Sequence, residues 1–484
     1  MPRTLPLFLA LDQGGHASRA LVFDAHGRLV TSAQRQIATL HPGRDRVEHH
    51  AAALLASVTQ VCKEVARQLG PRCAQIQAAG LATQRSTMAC WDRQTGKALS
   101  PVISWQDRRA ARRVATLAPH QSRVHEITGL VLSAHYGASK LAWCLDRLKP
   151  VRRALRQERL TAGPLASFIL ANLLVEKPLL ADPVNASRTL LWDYRRRDWS
   201  EELLELFRIP AWILPRCVPN QHAFGHLRLG TRAIPLTVVT GDQPAAMYAG
   251  GEPDADSIYI NLGTGAFIQR LHSDTPPQVP GMLGSVLWQD QDRVLYVLEG
   301  TVNGAGSALS WLCKRLAISE KKMFGHIPAW LTTKLDLPLF LNGISGLGSP
   351  YWVFNFRSRF IGPGNAMQKM IAVAESIVFL LCMNLERMHG TGTGKPAWRI
   401  VVSGGLARWE GLCQRLADLS GLPVHRPALH EATASGLAWL LGARNRTPVE
   451  SIIFTPGNAV QLKRRYTAWL AAMERVILQT DVGS

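Results

Sequence analysis

Closely spaced cysteines are missing from this chain: the eight lie at 62, 73, 90, 144, 217, 313, 382 and 413, no two nearer than eleven residues. CxxC metal and redox motifs are thereby excluded. Cysteines in apolar settings such as Trp143-Cys144-Leu145 read as small core hydrophobes, a usage that suits a reducing cytoplasm. The fifteen histidines contain no HExxH, and the adjacent His49 and His50 read as helix N-terminal surface rather than a chelating pair. Long apolar runs are also lacking. None reaches the roughly 18 residues of a spanning helix, the best candidates being broken by Glu375 or by Gly241-Asp242, which disfavours a membrane-embedded protein. The apolar stretch Leu5 to Leu11 halts at Asp12 without an A-x-A site and reads as a strand, not a signal peptide. Pro- or Gly-rich linkers are absent. What remains is 484 residues, 47% hydrophobic and 19% charged, which excludes disorder and collagen-like repeats and allows two to four domains.

Acidic residues are the scarcer charge, 35 against 55 basic, for a formal +20. Through residue 250 there are 33 basic and 18 acidic side chains, so the excess sits in the N-terminal half. Its densest clusters, Arg108-Arg109 with Arg112-Arg113, Arg152 to Arg159 and Arg195 to Arg197, lack regularly spaced stacking aromatics. They read as a solvated basic face that attracts anionic metabolites. Nucleic-acid binding is disfavoured, resting on net charge alone.

Leu7 to Leu11, Ala20 to Asp24 and residues 29–36 alternate with the turns Gly14-Gly15 and His26-Gly27, predicting strand, hairpin, strand. Ala51 to Leu69 repeats apolar residues at helical spacing and stops at Gly70, and Ile76 to Leu81 reads as a further strand. Three strands, a helix and a strand resemble the ribonuclease H and actin type of domain. A similar order restarts with strands at Ile234 to Val239, Ser257 to Asn261 and Phe267 to Leu271. Helices are predicted at 304–316, 371–389, 411–420 and 432–442, and a strand at Arg399 to Ser403. LALDQGG and IYINLGTG form a weak internal repeat, so two related α/β domains face one another, with the boundary within 235–255.

A tight glycine turn after a strand leaves converging backbone N–H groups, a nest suited to phosphate. Two such turns, with Asp12 and Asp242 each ending an opening strand, suggest a nucleoside triphosphate held between domains and Asp12 near its magnesium. A pair of ordinary hairpin turns with solvated aspartates explains the same residues equally well.

The blocks LALDQGGHASRALVFD, QRSTMACWDRQTGKALSPVISWQDRR, DPVNASRTLLWDYRRRDWS, VVTGDQPAAMYAG, NLGTGAF, GLGSPYW and VVSGGLARWEGL follow the order found in the FGGY carbohydrate kinases. From about residue 7 to 442 the chain resembles that family, most closely its glycerol kinase branch. The resemblance implies two actin-like (ribonuclease H-like) ATPase domains with a cleft between them. On it the N-terminal domain spans 1–243, the C-terminal domain 244–445, and 446–484 is a helical tail packed on the second domain. It implies phosphoryl transfer from ATP, with Mg2+, to a hydroxyl of a small polyol or ketose. Asp242 would be the base and Gln243 would hold a neighbouring hydroxyl. Arg85, Ser86, Trp105 and His135 would line the acceptor pocket, Arg85 donating hydrogen bonds and Trp105 packing on carbon. Asp12, Gly14, Gly15, His16 and Arg19 match the first phosphate loop, with Asp12 at the metal, and Gly263 and Thr264 match the second. Gly306, Ser310, Gly405 and Trp409 match positions around ribose and adenine. The expected setting is cytoplasmic, the partner a small polyhydroxylated molecule, and a homo-oligomer is compatible with the sequence.

Several positions depart from the family pattern. The first loop normally reads Asp-x-Gly-Thr-Thr, whereas Gly15 and His16 stand at the two threonines, removing two phosphate-facing hydroxyls and weakening the expected grip on ATP. In the glycerol kinase branch a glutamate follows the arginine matching Arg85, where this chain has Ser86, and a tyrosine stands at His135. Such changes alter which hydroxyl pattern leaves no buried group unpaired, so a different or bulkier polyol or ketose than glycerol is expected. Val353-Phe354-Asn355 replaces Asp-Pro and an aromatic, Ser310 replaces a glutamine, and Trp409 replaces an asparagine, either stacking on a base or packing between elements. An alternative expectation follows from these losses: a non-catalytic member of the fold that binds carbohydrate or nucleotide as a regulator.

Overall fold

A computed structural model of the chain describes residues 5–272, 277–331, 336–353, 355–389, 396–428, 431–444 and 450–481. The first strand, β1 (Leu7–Gln13), is buried along its whole length, as befits a central strand covered on both faces. It pairs antiparallel with β2 (Ala17–Asp24), which pairs antiparallel with β3 (Leu29–Gln36). Helix α1 (Ala51–Leu69) lays Leu54, Val58, Val61 and Val65 against this sheet and ends at Gly70, whose φ of 52° is readily adopted only without a Cβ. β4 (Ile76–Thr83) returns parallel to β1, and β5 (Gln221–Leu229) turns into β6 (Arg232–Gly241), which runs parallel to β4. The resulting order is β5-β6-β4-β1-β2-β3.

The second sheet repeats this plan. β7 (Ser257–Leu262) pairs antiparallel with β8 (Ala266–His272), and β9 (Leu283–Gln289) and β10 (Val294–Val302) extend it on that side. β11 (Arg399–Ser403) lies parallel to β7, β12 (Val424–Pro427) parallel to β11, and β13 (Ser451–Phe454) closes the edge. Thus β10-β8-β7-β11-β12 reproduces β3-β2-β1-β4-β6 in order and direction, the structural content of the weak repeat between LALDQGG and IYINLGTG. This is the two-domain actin-like arrangement. A third sheet, built from Leu40–Gly43, Arg46–His49, Val102–Ile103, Met88–Asp92 and Leu160–Pro164, is not apparent in the hydrophobic pattern; its pieces are too short to show a period.

The halves meet where α3 (Asp242–Met247) crosses the later helix Ala432–Leu440. A Cβ on Gly436 would stand 1.8 Å from the Ala245 carbonyl oxygen, so only glycine admits this approach. Helix α4 (Gly306–Arg315) covers the second sheet together with α5 (Ala366–His389). Among the described residues α5 alone is long and apolar enough to cross a membrane, but 78% of that window is buried, which makes it the core helix of its domain. Its Glu375 is paired by Arg465 and Arg415, as a buried carboxylate must be. Arg465 belongs to the terminal helix Val460–Asp481, whose Trp469 is fully buried and donates to the Phe340 carbonyl at 2.9 Å.

The basic clusters divide. Arg152, Arg153 and Arg195 to Arg197 are exposed as expected. Arg109 is not part of a solvated face: its side chain is 3% exposed, gripping Asp107 through two nitrogens and Glu48 at 2.6 Å. Its neighbour Arg108 also turns inward. Sequence-adjacent charges here follow a loop into the interior, where paired burial outweighs hydration.

Candidate active site

The first glycine turn is held by the Gly14 N–H donating to Ala17 O at 3.0 Å and by Gln84 Nε2 reaching Gly14 O at 3.3 Å. Among the described residues no partner takes the N–H of Gly15 or His16, so the loop presents free donors. The His16 side chain is exposed. At the end of β1, Asp12 is 5% exposed and accepts from Arg19 Nη1 at 3.0 Å. Burial first, then the nearby Asp242, pushes the Asp12 carboxyl up to about 6, with Arg19 opposing. Two carboxylates, from the ends of β1 and β6 of the same first sheet, therefore lie close together at one edge of it.

Asp242 opens α3, and its Oδ1 accepts from the Gln243 N–H at 2.8 Å. Burial raises its pKa above the ordinary carboxylate value, and Arg85 and Arg188 counteract. The strand leading to it is fixed by the Asp182-Pro-Val-Asn185 segment. There Asp182 caps the short helix α2 (Pro183–Ala186) through the Asn185 N–H, while Asn185 Nδ2 donates to Thr240 O at 3.2 Å. Asn220 Nδ2 reaches both Asp182 Oδ1 and Val239 O. The NASRT block thus serves first as a clamp on the last residues of β6.

Arg85 follows β4 and lies across Gly241, where a Cβ would come within 2.6 Å of Arg85 Cδ. Its Nη2 hydrogen-bonds Gln243 Oε1 and lies 3.4 Å from Glu299 Oε2. Arg188 donates to the other oxygen of Glu299 at 2.8 Å, and Gln269 Nε2 adds a bond at 2.8 Å. Glu299 is fully buried on β10. Despite the burial, Arg188 and Arg85 keep its carboxyl below the usual range, while burial and then Arg188 pull Arg85 down to about 10. Arg188 and Glu299 were not singled out from sequence; the signals available were the arginine of NASRT and a lone acid inside the apolar strand Val294–Val302.

Ser86 sits at φ 61°, strained for a residue with a Cβ. Its carbonyl accepts from Lys140 Nζ at 2.9 Å, and the same ammonium bonds the His135 carbonyl. The Trp105 and His135 rings lie 5.6 Å apart, and His135 meets Tyr136 edge-on at 4.9 Å. Burial, then Arg108, Lys140, Arg188 and Arg85, hold His135 well below its ordinary pKa, so its ring is neutral. Arg85, Ser86, Trp105, His135, Asp242 and Gln243 are therefore brought to one place. Ser86 Oγ and Arg85 Nη1 are buried there without a protein partner, which points to a polar ligand that completes them.

The nucleotide side is less uniform. A cleft of about 1040 Å3 gathers Asp12, Arg19, Gln243, Gly404 and Gly405 with Thr433. At the second turn, the Gly263 N–H donates to Gly265 O, and the N–H groups of Ala305, Gly306 and Ser307 all donate to the carbonyls of Gly263 or Thr264. Gly306 is glycine for that docking, since a Cβ would meet Gly263 O at 2.9 Å. Ser310 lies one turn further along α4, half-buried. Trp409 does not open onto the cleft: its ring is 9% exposed in the core of the second domain, 5.7 Å from Phe324 in an edge contact. Packing, not base stacking, accounts for it. Phe354 lies outside the described residues.

A magnesium ion in such a cleft needs one or two carboxylates and otherwise phosphate oxygens and water. Asp12 and Asp242 fit that requirement: two acceptor-only groups, each raised by burial, which a cation would relieve. Among the described residues no group of three or more His, Cys, Asp or Glu converges as an all-protein metal cage.

The family model for the N-terminal domain of the FGGY family of carbohydrate kinases matches residues 7–247, and that for the C-terminal domain matches 258–444. A glycerol kinase of Synechocystis sp. is 34% identical over 450 residues, covering 90% of each chain. A glycerol kinase of Halorhodospira halophila is 32% identical, with 96% of each chain covered. Among solved structures, Plasmodium falciparum glycerol kinase with ADP superposes with a TM-score of 0.87 at 22% identity, covering 98% of both chains. Xylulose kinase from Rhodospirillum rubrum gives 0.85 at 19%, covering 97% of this chain and 99% of that one.

Proposed function

The chain belongs to the FGGY family of carbohydrate kinases and is an ATP-dependent carbohydrate kinase, and from that premise we propose how its own residues divide the work of phosphorylating a small polyol or ketose. Phosphoryl transfer asks for alignment and charge neutralisation more than for covalent chemistry. Asp242 accepts the proton of the attacked hydroxyl. Its pKa, raised by burial, makes it a better proton acceptor than an exposed aspartate. Gln243 and Arg85 hold neighbouring hydroxyls, fixed beforehand by their mutual hydrogen bond and, for Arg85, by Glu299 as well. Trp105 and His135 cover the carbon skeleton and exclude water.

The free N–H groups of the first turn receive the phosphates, with Arg19 beside them, while Gly263, Thr264 and Gly405 line the opposing side. Asp12 would hold Mg2+, which when bound neutralises charge on the transferring phosphoryl group. The first sheet ends at Gly241 and the second begins at Ser257, which supports dividing the chain near residue 243, so that the base and the first phosphate loop come from one unit and the second phosphate loop from the other. The dispersed free cysteines support a reducing, cytoplasmic setting. A regulator without catalysis has no observation in its favour.

The observation that carries this reading is the convergence of Asp242, Arg85 and Gln243 with two unpartnered buried donors beside them. It is tested by calorimetry of Mg-ATP with and without a panel of polyols and ketoses, reading ADP release in the same samples. Release stimulated by a panel member is expected; absence of nucleotide binding sinks the proposal.

A further inference from the structure

The two adjacent histidines, expected together on a helix N-terminal surface, divide. His50 is exposed and caps α1, its Nδ1 accepting from the Ala53 N–H at 3.3 Å. His49 is 1% exposed. It ends the strand Arg46–His49 of the third sheet, and its Nδ1 lies 3.0 Å from the Ala38 carbonyl oxygen. A carbonyl only accepts, so the ring carries its proton on Nδ1. Burial holds the imidazole below its ordinary pKa, and Nε2 is a buried acceptor with no partner among the described residues.

Ala38 lies in the link 37–39, which belongs to no strand or helix and carries the chain from β3 to the third sheet. Both of its neighbours in that link grip the first glycine turn. The Ile37 N–H donates to the His16 carbonyl at 2.9 Å, and Thr39 Oγ1 donates to the Gly15 carbonyl at 3.2 Å. His49 thus holds the middle of a three-residue strap. The ends of the strap hold the carbonyls of Gly15 and His16, the two positions at which the phosphate loop departs from the family pattern.

A trans peptide sets its C=O and the following N–H on opposite sides. Fixing the Gly15 carbonyl on Thr39 therefore turns the His16 N–H away from the strap. The Ala17–Gln36 register sets residues 16 and 37 opposite one another, where an ordinary antiparallel ladder would return this N–H to the Ile37 carbonyl. Only the reverse bond is made, and the His16 N–H stays free. On the other side of the turn, Gln84 Nε2 on the Gly14 carbonyl aims the Gly15 N–H in the same way. The donors that the kinase reading gives to phosphate are thus oriented through the carbonyls of their own peptides.

Resting on the kinase reading above, we propose that His49 is a positioning residue for the nucleotide: by holding Ala38 it sets Thr39 on Gly15, and so aims the His16 N–H at a phosphate oxygen. It touches no ligand itself. The strap supplies through backbone geometry part of the grip that two threonine hydroxyls would otherwise give. An apolar side chain at 49 frees the 38–39 peptide to turn toward water, and Thr39 with it. Asparagine, whose amide nitrogen stands where Nδ1 does, keeps the bond to Ala38.

The test reads ATP affinity of the full chain by calorimetry in EDTA, together with the KM for the acceptor. His49→Leu and Thr39→Val should each raise the Kd for ATP about three- to tenfold, the effect of one lost hydrogen bond, with the acceptor KM unchanged. His49→Asn should stay within about twofold of the parent. The double variant His49→Leu with Thr39→Val should bind no more than about twofold weaker than the worse single one, since both act through the Gly15 carbonyl. A lower melting temperature for His49→Leu with unchanged ATP affinity overturns the inference. So does His49→Asn binding as weakly as His49→Leu, or a double variant whose loss is the product of the two. If His49→Leu does not fold, Thr39→Val and His49→Asn decide: unchanged affinity in the first, or weakened affinity in the second, overturns the inference. A parent that binds no ATP defeats the kinase reading and this inference with it. A parent that binds ATP but releases no ADP with any acceptor defeats the kinase reading alone, and the affinities of the variants still decide the role of His49.

Discussion

Glu299 and Arg188 join the two halves of the molecule: the carboxylate is carried by a strand of the second sheet, the guanidinium by the NASRT turn of the first half, and they meet at 2.8 Å fully out of water. The same carboxylate holds Arg85 in the acceptor pocket, so domain docking and substrate positioning share one charge. Removing one partner of a buried ion pair typically costs about 3–5 kcal/mol. Glu299→Gln should therefore lower the melting temperature markedly and reduce kcat/KM by more than tenfold. Adding Arg188→Met should recover part of the stability but none of the activity. A Glu299→Gln protein with unchanged melting and turnover would contradict this arrangement.

Asp242 as the base predicts a division of effects. Asp242→Asn should reduce turnover by at least 10³-fold, within the range attributed to positioned general bases, while acceptor binding by calorimetry stays within a few-fold. The base must be ionised and its pKa is raised by burial. The acidic limb of kcat/KM should accordingly inflect above the ordinary aspartate value near 3.8. Activity that persists at full rate down to that value would exclude Asp242 from the role.

Asp12 is destabilising in its charged form. Its carboxyl is raised from 3.8 to about 6 by burial and by Asp242, so the folded state holds the proton more tightly than the unfolded one. The resulting stabilisation is complete below about pH 4 and is lost as pH rises through 6. Asp12→Asn should be close to the parent at pH 4 and exceed it by about 3 kcal/mol at pH 8, in urea melts free of nucleotide. The same variant should lose magnesium-dependent nucleotide binding.

The glycine turns, the paired aspartates and the doubled α/β plan were legible because each is local: a strand, a turn and a polar residue at a fixed offset. Arg188 and Glu299 were not, being 111 residues apart and joined only by the docking of two sheets. Arg108 and Arg109 turn inward where the sequence predicts a solvated face, because adjacency in sequence carries no information on which way a loop faces. Trp409 had two readings that only packing against Phe324 could separate. The helix starting at Ala366 rather than 371 reflects the weak apolar signal of a first turn.

The altered phosphate loop has room for what it lacks. A Cβ on Gly15 would meet nothing nearer than Gln84 Oε1 at 3.8 Å, its φ lies outside the left-handed region, and the His16 side chain is exposed. Gly15→Thr with His16→Thr should therefore fold normally and restore two hydroxyl donors to bound phosphates. The KM for ATP should fall by about three- to tenfold, since one hydrogen bond contributes about 0.5–1.5 kcal/mol, with the acceptor KM unchanged. An increase in the KM for ATP would show that the parent loop grips phosphate by another route.

Gly241 offers a test of the pocket that leaves every charged group in place. Its backbone, at φ −88° and ψ 158°, is open to any residue, so alanine brings no main-chain strain. The added Cβ would nevertheless press on Arg85 at 2.6 Å and 2.7 Å from its Cδ and Cγ, closer than carbon atoms approach. The side chain has to shift by several tenths of an ångström, taking its guanidinium away from Gln243 and Glu299. Displacement of a positioning group by that amount lowers the rate far more than it lowers stability. Gly241→Ala should thus cut kcat/KM for the acceptor by about ten- to a hundredfold, with nucleotide binding preserved and the melting temperature within a few degrees of the parent. Loss of nucleotide binding as well would mean that the strand end itself had moved, and that Arg85 is not where the constraint lies.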